Sequence, residues 1–221
     1  MKMEIIEVKA AEKDEIIRQK IIYTAKEEFM QYGFHRISMD DIAEKLSMSK
    51  KTLYRYFTGK DDLIRTVMMG HMRCFDEISA MISEKRAESE FINKMVEISS
   101  KIAELVSRMP IHVMRDLQRN SPDIYDEMQT HKKENIARGF GAFIKEGKQA
   151  GVFREELPED IMIKIQLTII EHMFNPEILM SLPYTPIQYH QHIITFVMQG
   201  MFTEKGRMQM KDAQQANNNE I

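Results

Sequence analysis

Apolar residues recur every three or four positions along most of this chain, with polar residues between them. That spacing predicts helices almost throughout. Ile17, Ile21, Ala25, Phe29 and Tyr32 mark a first helix. Ile42, Ala43 and Leu46 form a shorter stripe, leaving Asp40, Asp41, Glu44 and Lys45 to water, and Leu53 and Phe57 lie four apart in a third. From 61 to about 83 the inward set is Leu63, Val67, Phe75, Ile78 and Ile82. From 88 to about 109 it is Phe91, Met95, Ile98, Ile102 and Leu105, and Pro110 ends that helix. A short helix over about 111–119 follows, and Ser121-Pro122 opens a long one to Ala150. Gly151 stops it, with Gly147 loosening its last turn. Leu157-Pro158 starts another helix, and residues 184–202 form the last substantial one. The segment IMIKIQLTII (161–170) alternates in part as a strand would, but it runs on through His172-Met173-Phe174 and has no partner strand, so it is expected to be a deeply buried helix.

The residues between 38 and 60 carry the clearest local signals. Ser38 followed by Asp41 is a capping box, in which the hydroxyl takes an orphan amide and the carboxylate reaches back. Ser47-Met48 makes a tight turn, and Ser49 caps the next helix. Thr58 and Asp61 are expected to form a second box. With Leu53 and Phe57 inward, Lys50, Lys51, Thr52, Tyr54, Arg55 and Tyr56 are left for the other faces. Two short helices with that second face match a helix-turn-helix whose second helix enters a DNA groove.

Charge sharpens this reading. The chain carries a formal net charge of −3, yet residues 45–60 hold five Lys or Arg and no Asp or Glu. Such a local basic stripe is the electrostatic footprint expected on nucleic acid. Lys60 opposes the dipole of the helix it opens, which points to a nearby anion such as a DNA phosphate. Tyr54 can reach phosphate oxygens or stack on sugar and base, whereas Tyr56 can do the same or tuck against neighbouring helices. Lys50, Lys51 and Arg55 could also be no more than a solvated face.

Residues 16–63 resemble the N-terminal DNA-binding domain of the TetR family of bacterial transcriptional regulators. The resemblance rests on the first-helix pattern and on GFHRISMDDIAEKLSMSKKTLYRYFTGKDDL, in which Gly33-Phe34, Ser38 to Ala43, Ser49 to Phe57 and Lys60 to Leu63 fit the family pattern. Ser47 and Lys51 stand where the family commonly has Gly. The resemblance implies that Thr52, Tyr54, Tyr56 and Lys60 touch DNA and that Lys50, Lys51 and Arg55 carry the sequence preference. Arg55 is the candidate base reader, since a guanidinium pairs bidentately with guanine. Ser38 and Ser49, the two caps, complete the candidate DNA-binding set. The implied fold is all-α: a three-helix DNA-binding domain with a helix-turn-helix, then a larger helical ligand-binding and dimerisation domain. The implied partners are a double-stranded DNA operator and a second copy of the chain, joined through helices at about 159–174 and 186–202.

At 221 residues with 43% hydrophobic residues, the chain suits this layout. The expected organisation is a flexible 1–10, a DNA-binding domain at 11–60, a ligand-binding and dimerisation domain at 61–206 and a flexible Gln/Asn-rich tail at 207–221. The single cysteine, Cys74, excludes an internal disulfide, and the polar start lacks a signal-peptide core. No run approaches membrane-spanning length, so a soluble, cytoplasmic protein is expected. Twenty methionines suit ordinary packing or an adaptable apolar pocket. Candidate lining residues for a small effector are Phe75, Ile102, Met114, Leu117, Phe140, Phe143 and His172. Glu171-His172 reads either as a polar handle on a ligand or as a satisfied core pair. The histidines are too scattered for a metal site, and no cofactor is expected. The leading function is a dimeric repressor released by an apolar or amphipathic ligand. The alternative is a DNA-binding dimer without small-molecule control. No catalytic motif speaks for an enzyme.

Overall fold

The computed structural model describes residues 2–169, 172 and 175–218. Among these residues the fold is helical, and the extended backbone amounts to one antiparallel bridge between Phe153 and Phe202. The helices are α1 (Lys2–Tyr32), α2 (Met39–Lys45), α3 (Lys50–Tyr56), α4 (Lys60–Ser83), α5 (Phe91–Ser107), α6 (Ile111–Asn120), α7 (Pro122–Gln149), α8 (Glu159–Thr168), α9 (Pro176–Ser181), α10 (Pro186–Met201) and α11 (Glu204–Asn218). Residues 161–168 of the strand-like stretch are therefore helix, and Ile170 lies outside the described residues.

The chain forms two compact units. The first takes the residues up to 71 together with 112–128, and the second takes 72–111 and the residues from 129 on. The boundary expected at residue 60 is the start of α4, but the first unit continues beyond it and takes back α6 and the start of α7. Its long-range bonds explain this: Asp116 accepts from the His35 amide, and Glu127 takes the Arg65 guanidinium through two bonds of 2.9 and 3.1 Å.

In the first unit, the predicted positions Ile21, Ala25, Phe29, Ile42, Ala43, Leu53, Phe57, Leu63 and Val67 are buried, whereas Ile17 and Leu46 are half-buried and Tyr32 is exposed. Phe29 and Phe34 meet with ring centroids 5.0 Å apart, and the Arg18 guanidinium lies over the Phe57 ring. Burial of this set, at roughly 25 cal/mol per Å² of apolar surface, is what fixes α2 and α3, which are too brief to stand alone.

The second unit is built on phenylalanines. Phe91 of α5, Phe143 of α7 and Phe153 form a cluster with centroids 5.0–5.8 Å apart, and Phe202 stacks on Phe153 at 5.9 Å. Gly147 serves this cluster directly: a Cβ there would lie 2.2 Å from the Phe153 ring, so only glycine lets α7 come that close. Lys94 is 1% exposed, and its ammonium bonds Glu146 at 2.6 Å and the Glu84 carbonyl at 2.5 Å. A charge so buried is tolerable only with such partners.

Four expectations are corrected. The tail is helical over Glu204–Asn218: Thr203 caps it by accepting from the Gly206 amide, and Met210 and Ala213 pack onto the core. The backbone of α1 is helical from Lys2, within the stretch 1–10 expected to be flexible. Segment α8 is not deeply buried. Met162 is, but Ile161 and Ile165 are 52% and 49% exposed, so only one of its apolar sides is covered within the chain. Lastly, Thr58 bonds Asp62, not Asp61, because α4 begins at Lys60 and its third residue is Asp62.

A candidate DNA-binding surface

Helix α2 is opened by a full capping box, with Ser38 Oγ accepting from the Asp41 amide and Asp41 accepting from the Ser38 amide at 2.7 Å. These bonds hold the Asp41 carboxyl below its usual range, with the Ser38 hydroxyl the larger cause. The turn into α3 places Ser47 at φ 52, the left-handed region that favours the glycine common there in the resembled family. Ser49 Oγ then accepts from the Thr52 amide at 3.1 Å and shares a 2.8 Å bond with the Thr52 hydroxyl. The sequence thus positions α3 through two serine caps and one inserted leucine, Leu53.

What α3 presents outward is cationic and phenolic. Lys50, Lys51, Tyr54 and Arg55 are exposed, whereas Thr52, Tyr56 and Lys60 are half-buried. Lys50 is ion-paired to Asp40 at 2.5 Å, and that bond raises its pKa. Arg55 donates to Asp14 of α1 at 3.0 Å and to the Tyr56 hydroxyl, and its carbon rides over the Tyr56 ring. Tyr56 in turn donates to the same Asp14 oxygen at 2.7 Å, so of its two readings the tuck against α1 is the one formed here. Among the described residues, no ion pair engages Lys51 and no hydrogen bond engages the Tyr54 hydroxyl. Exposed ion pairs such as Lys50–Asp40 and Arg55–Asp14 are screened by water and contribute little, so a phosphate or base edge can displace either carboxylate at little cost.

Lys60 stands apart from this group. Its ammonium donates to the His35 carbonyl at 3.1 Å. Burial lowers its pKa, opposed by the negative charges of Asp116, Asp61 and Asp41. Sequence reasoning missed Asp14, Asp40 and Asp116 as partners of the candidate residues. No local spacing signals them, since Asp14 and Asp116 lie 41 and 81 positions from the groups they bond.

The candidate effector residues do not form one set. Phe75, Ile102, Phe140 and Phe143 belong to the second unit, where Phe140 and Phe143 stack on each other within the core at 5.8 Å. Met114 and Leu117 belong to the first unit, with Leu117 fully buried. His172 is exposed, and Glu171, its expected neighbour in a polar pair, lies outside the described residues, as do Met173 and Phe174. Among the described residues no cluster of His, Cys, Asp or Glu could hold a metal ion, and no helix is long and apolar enough to cross a membrane.

Comparison with known proteins agrees with this geometry. The profile of bacterial regulatory proteins of the tetR family matches residues 21–67. The uncharacterized HTH-type transcriptional regulator YvaF of Bacillus subtilis is 24% identical over 178 residues, 79% of this chain and 90% of that protein. Of other curated relatives, HTH-type regulators too, the chain spans 25% to 47% of the length. Among solved structures, a TetR-family transcriptional regulator from Marinobacter aquaeolei has the same fold. Its TM-score is 0.68 at 17% identity, over 90% of this chain and 97% of that one. The regulator FadR of Bacillus subtilis, solved with stearoyl-CoA, gives 0.57 at 19%, over 82% and 98%.

Proposed function

We propose, for a chain that belongs to the TetR family of bacterial transcriptional regulators, a repressor that grips a two-fold operator as a homodimer and releases it when a small apolar or amphipathic ligand binds the second unit. The observation that carries the DNA-binding part is the outer face of α3. There Lys50, Lys51, Tyr54 and Arg55 are exposed on a helix capped by Ser49 and held by Leu53. Lys51 and Tyr54 are the first contacts, since nothing must be displaced to use them. Arg55 leaves Asp14 to read a base edge.

The dimer forms through α8 and α10, where Ile161, Ile165 and Phe196 are apolar and exposed. Two copies are needed because one helix-turn-helix discriminates poorly, and two-fold symmetry matches paired half-sites. Release is a population shift, transmitted along α4, which both units share. To lower operator occupancy a hundredfold, the ligand must prefer the non-binding state by about 2.7 kcal/mol. FadR, similar in fold, was solved with stearoyl-CoA, which supports an amphipathic effector here. A second reading, a DNA-binding dimer without small-molecule control, is favoured by the phenylalanine core, which occupies two of the expected lining residues.

The test is fluorescence anisotropy on the DNA upstream of the protein's own coding sequence, with single-base operator variants and Arg55→Ala. The expected outcome is tight, salt-sensitive binding in which Arg55→Ala loses about 1–3 kcal/mol on the intact operator but little on one variant. An equal loss on every variant makes Arg55 a phosphate contact. The same assay then screens fatty and aromatic compounds for release.

A further inference from the structure

The turn between α1 and α2 is gripped from a distant part of the chain. Gly33 holds φ +88, and a Cβ there would lie 3.1 Å from Asp116 Oδ2, so the turn and α6 are in close contact within the first unit. Asp116 Oδ2 accepts from the His35 amide at 2.7 Å, while Oδ1 accepts from the Asn120 side chain, one turn along α6, at 2.7 Å. The His35 carbonyl accepts from Lys60 Nζ. One residue of the turn therefore bridges two helices, its amide bound to α6 and its carbonyl to the first residue of α4.

This relay accounts for the awkward placement of Lys60. A cation in a first helical turn is unfavourable, and partial burial makes it more so. The His35 carbonyl and the negative charges of Asp116, Asp61 and Asp41 offset part of these costs, though burial still outweighs them. The carbonyl takes one of three ammonium protons and leaves two to point at an anion. Both bonds are charge-assisted, one through the Asp116 carboxylate and one through the Lys60 ammonium, and the bond to Asp116 is the shorter, at 2.7 against 3.1 Å.

We propose that Asp116 is a positioning residue for operator binding. Through the His35 peptide it fixes the direction of the Lys60 ammonium toward a DNA phosphate, so losing the Asp116–His35 bond lowers DNA affinity. The proposal rests on the reading of Lys60 as a phosphate contact. His35 is exposed, so without Asp116 its amide turns to water and the fold is retained. The Lys60 ammonium loses its direction.

The experiment measures operator affinity against salt for the wild type, Lys60→Ala, Asp116→Ala and the double variant, with circular dichroism to check folding. Lys60→Ala should reduce the salt slope by about one unit per subunit. Asp116→Ala should lower affinity about tenfold with the same fall in slope, and the double variant should match Lys60→Ala within about twofold. An unchanged slope in Asp116→Ala, or losses that multiply in the double variant, would overturn the proposal. An unchanged slope in Lys60→Ala itself would instead remove the phosphate contact on which it rests. Should Asp116→Ala not fold, Asp116→Leu carries the same test, because it keeps about the same volume and removes both acceptors.

Discussion

Lys132 occupies the stripe of α7 that also carries Asn135, Gly139 and Phe143, all of them buried. Among the described residues no hydrogen bond or ion pair reaches its ammonium, and burial lowers its pKa to about 8. The folded-state value thus lies below the unfolded one near 10.5. The charged form is disfavoured on folding, and the penalty is full below pH 8 and relieved as pH rises toward 10.5. Lys132→Met should therefore raise stability at pH 7 by about 1–2 kcal/mol. This is less than the full shift implies at about 1.4 kcal/mol per pKa unit, because the side chain keeps some contact with water. Urea unfolding of both proteins across pH 7–10.5 checks this: the advantage should shrink through that window, and a constant advantage would assign the gain to packing. Local chemistry of the kind that the sequence displays was legible, as Ser38–Asp41 and Ser49 illustrate. The pairs Arg55–Asp14, Lys50–Asp40 and His35–Asp116 were not, because only the folded chain brings their members together.

Among the helices, α8 and α10 show what periodicity can and cannot tell. The apolar residues of α8 on all sides suggested burial, yet Ile161 and Ile165 are half exposed and Phe196 of α10 is 82% exposed. A sequence pattern reports that a face is apolar, not which molecule covers it. On the proposed function, a second copy covers all three residues. Phe196→Glu should then turn the dimer into a monomer of unchanged helix content, seen by analytical ultracentrifugation with circular dichroism. It should also weaken operator binding, since half-sites bound singly lose their mutual support. A Phe196→Glu dimer as tight as the wild type would place the interface elsewhere. The C-terminal helix α11 is the reverse case. Its Gln/Asn-rich composition suggested flexibility, but Met210 and Ala213, three apart, supply the face that packs onto the core, and Thr203 supplies the cap.

For the chain taken together, a net charge of −3 does not oppose DNA binding, because the cations are concentrated on and around α3. The resembled family signature was legible because its residues are contiguous. The two-unit organisation was not, since 112–128 returns to the first unit through bonds that span 62 and 81 positions. On the proposed function, a two-fold dimer lays one α3 in each half of an operator. Hydroxyl-radical footprinting on the upstream DNA tests it most directly. Two protected patches related by symmetry, separated by about one helical turn or a whole multiple and lost together in Tyr54→Ala, are the predicted result. A single patch, or protection no stronger than on a random duplex at the same salt, would contradict it.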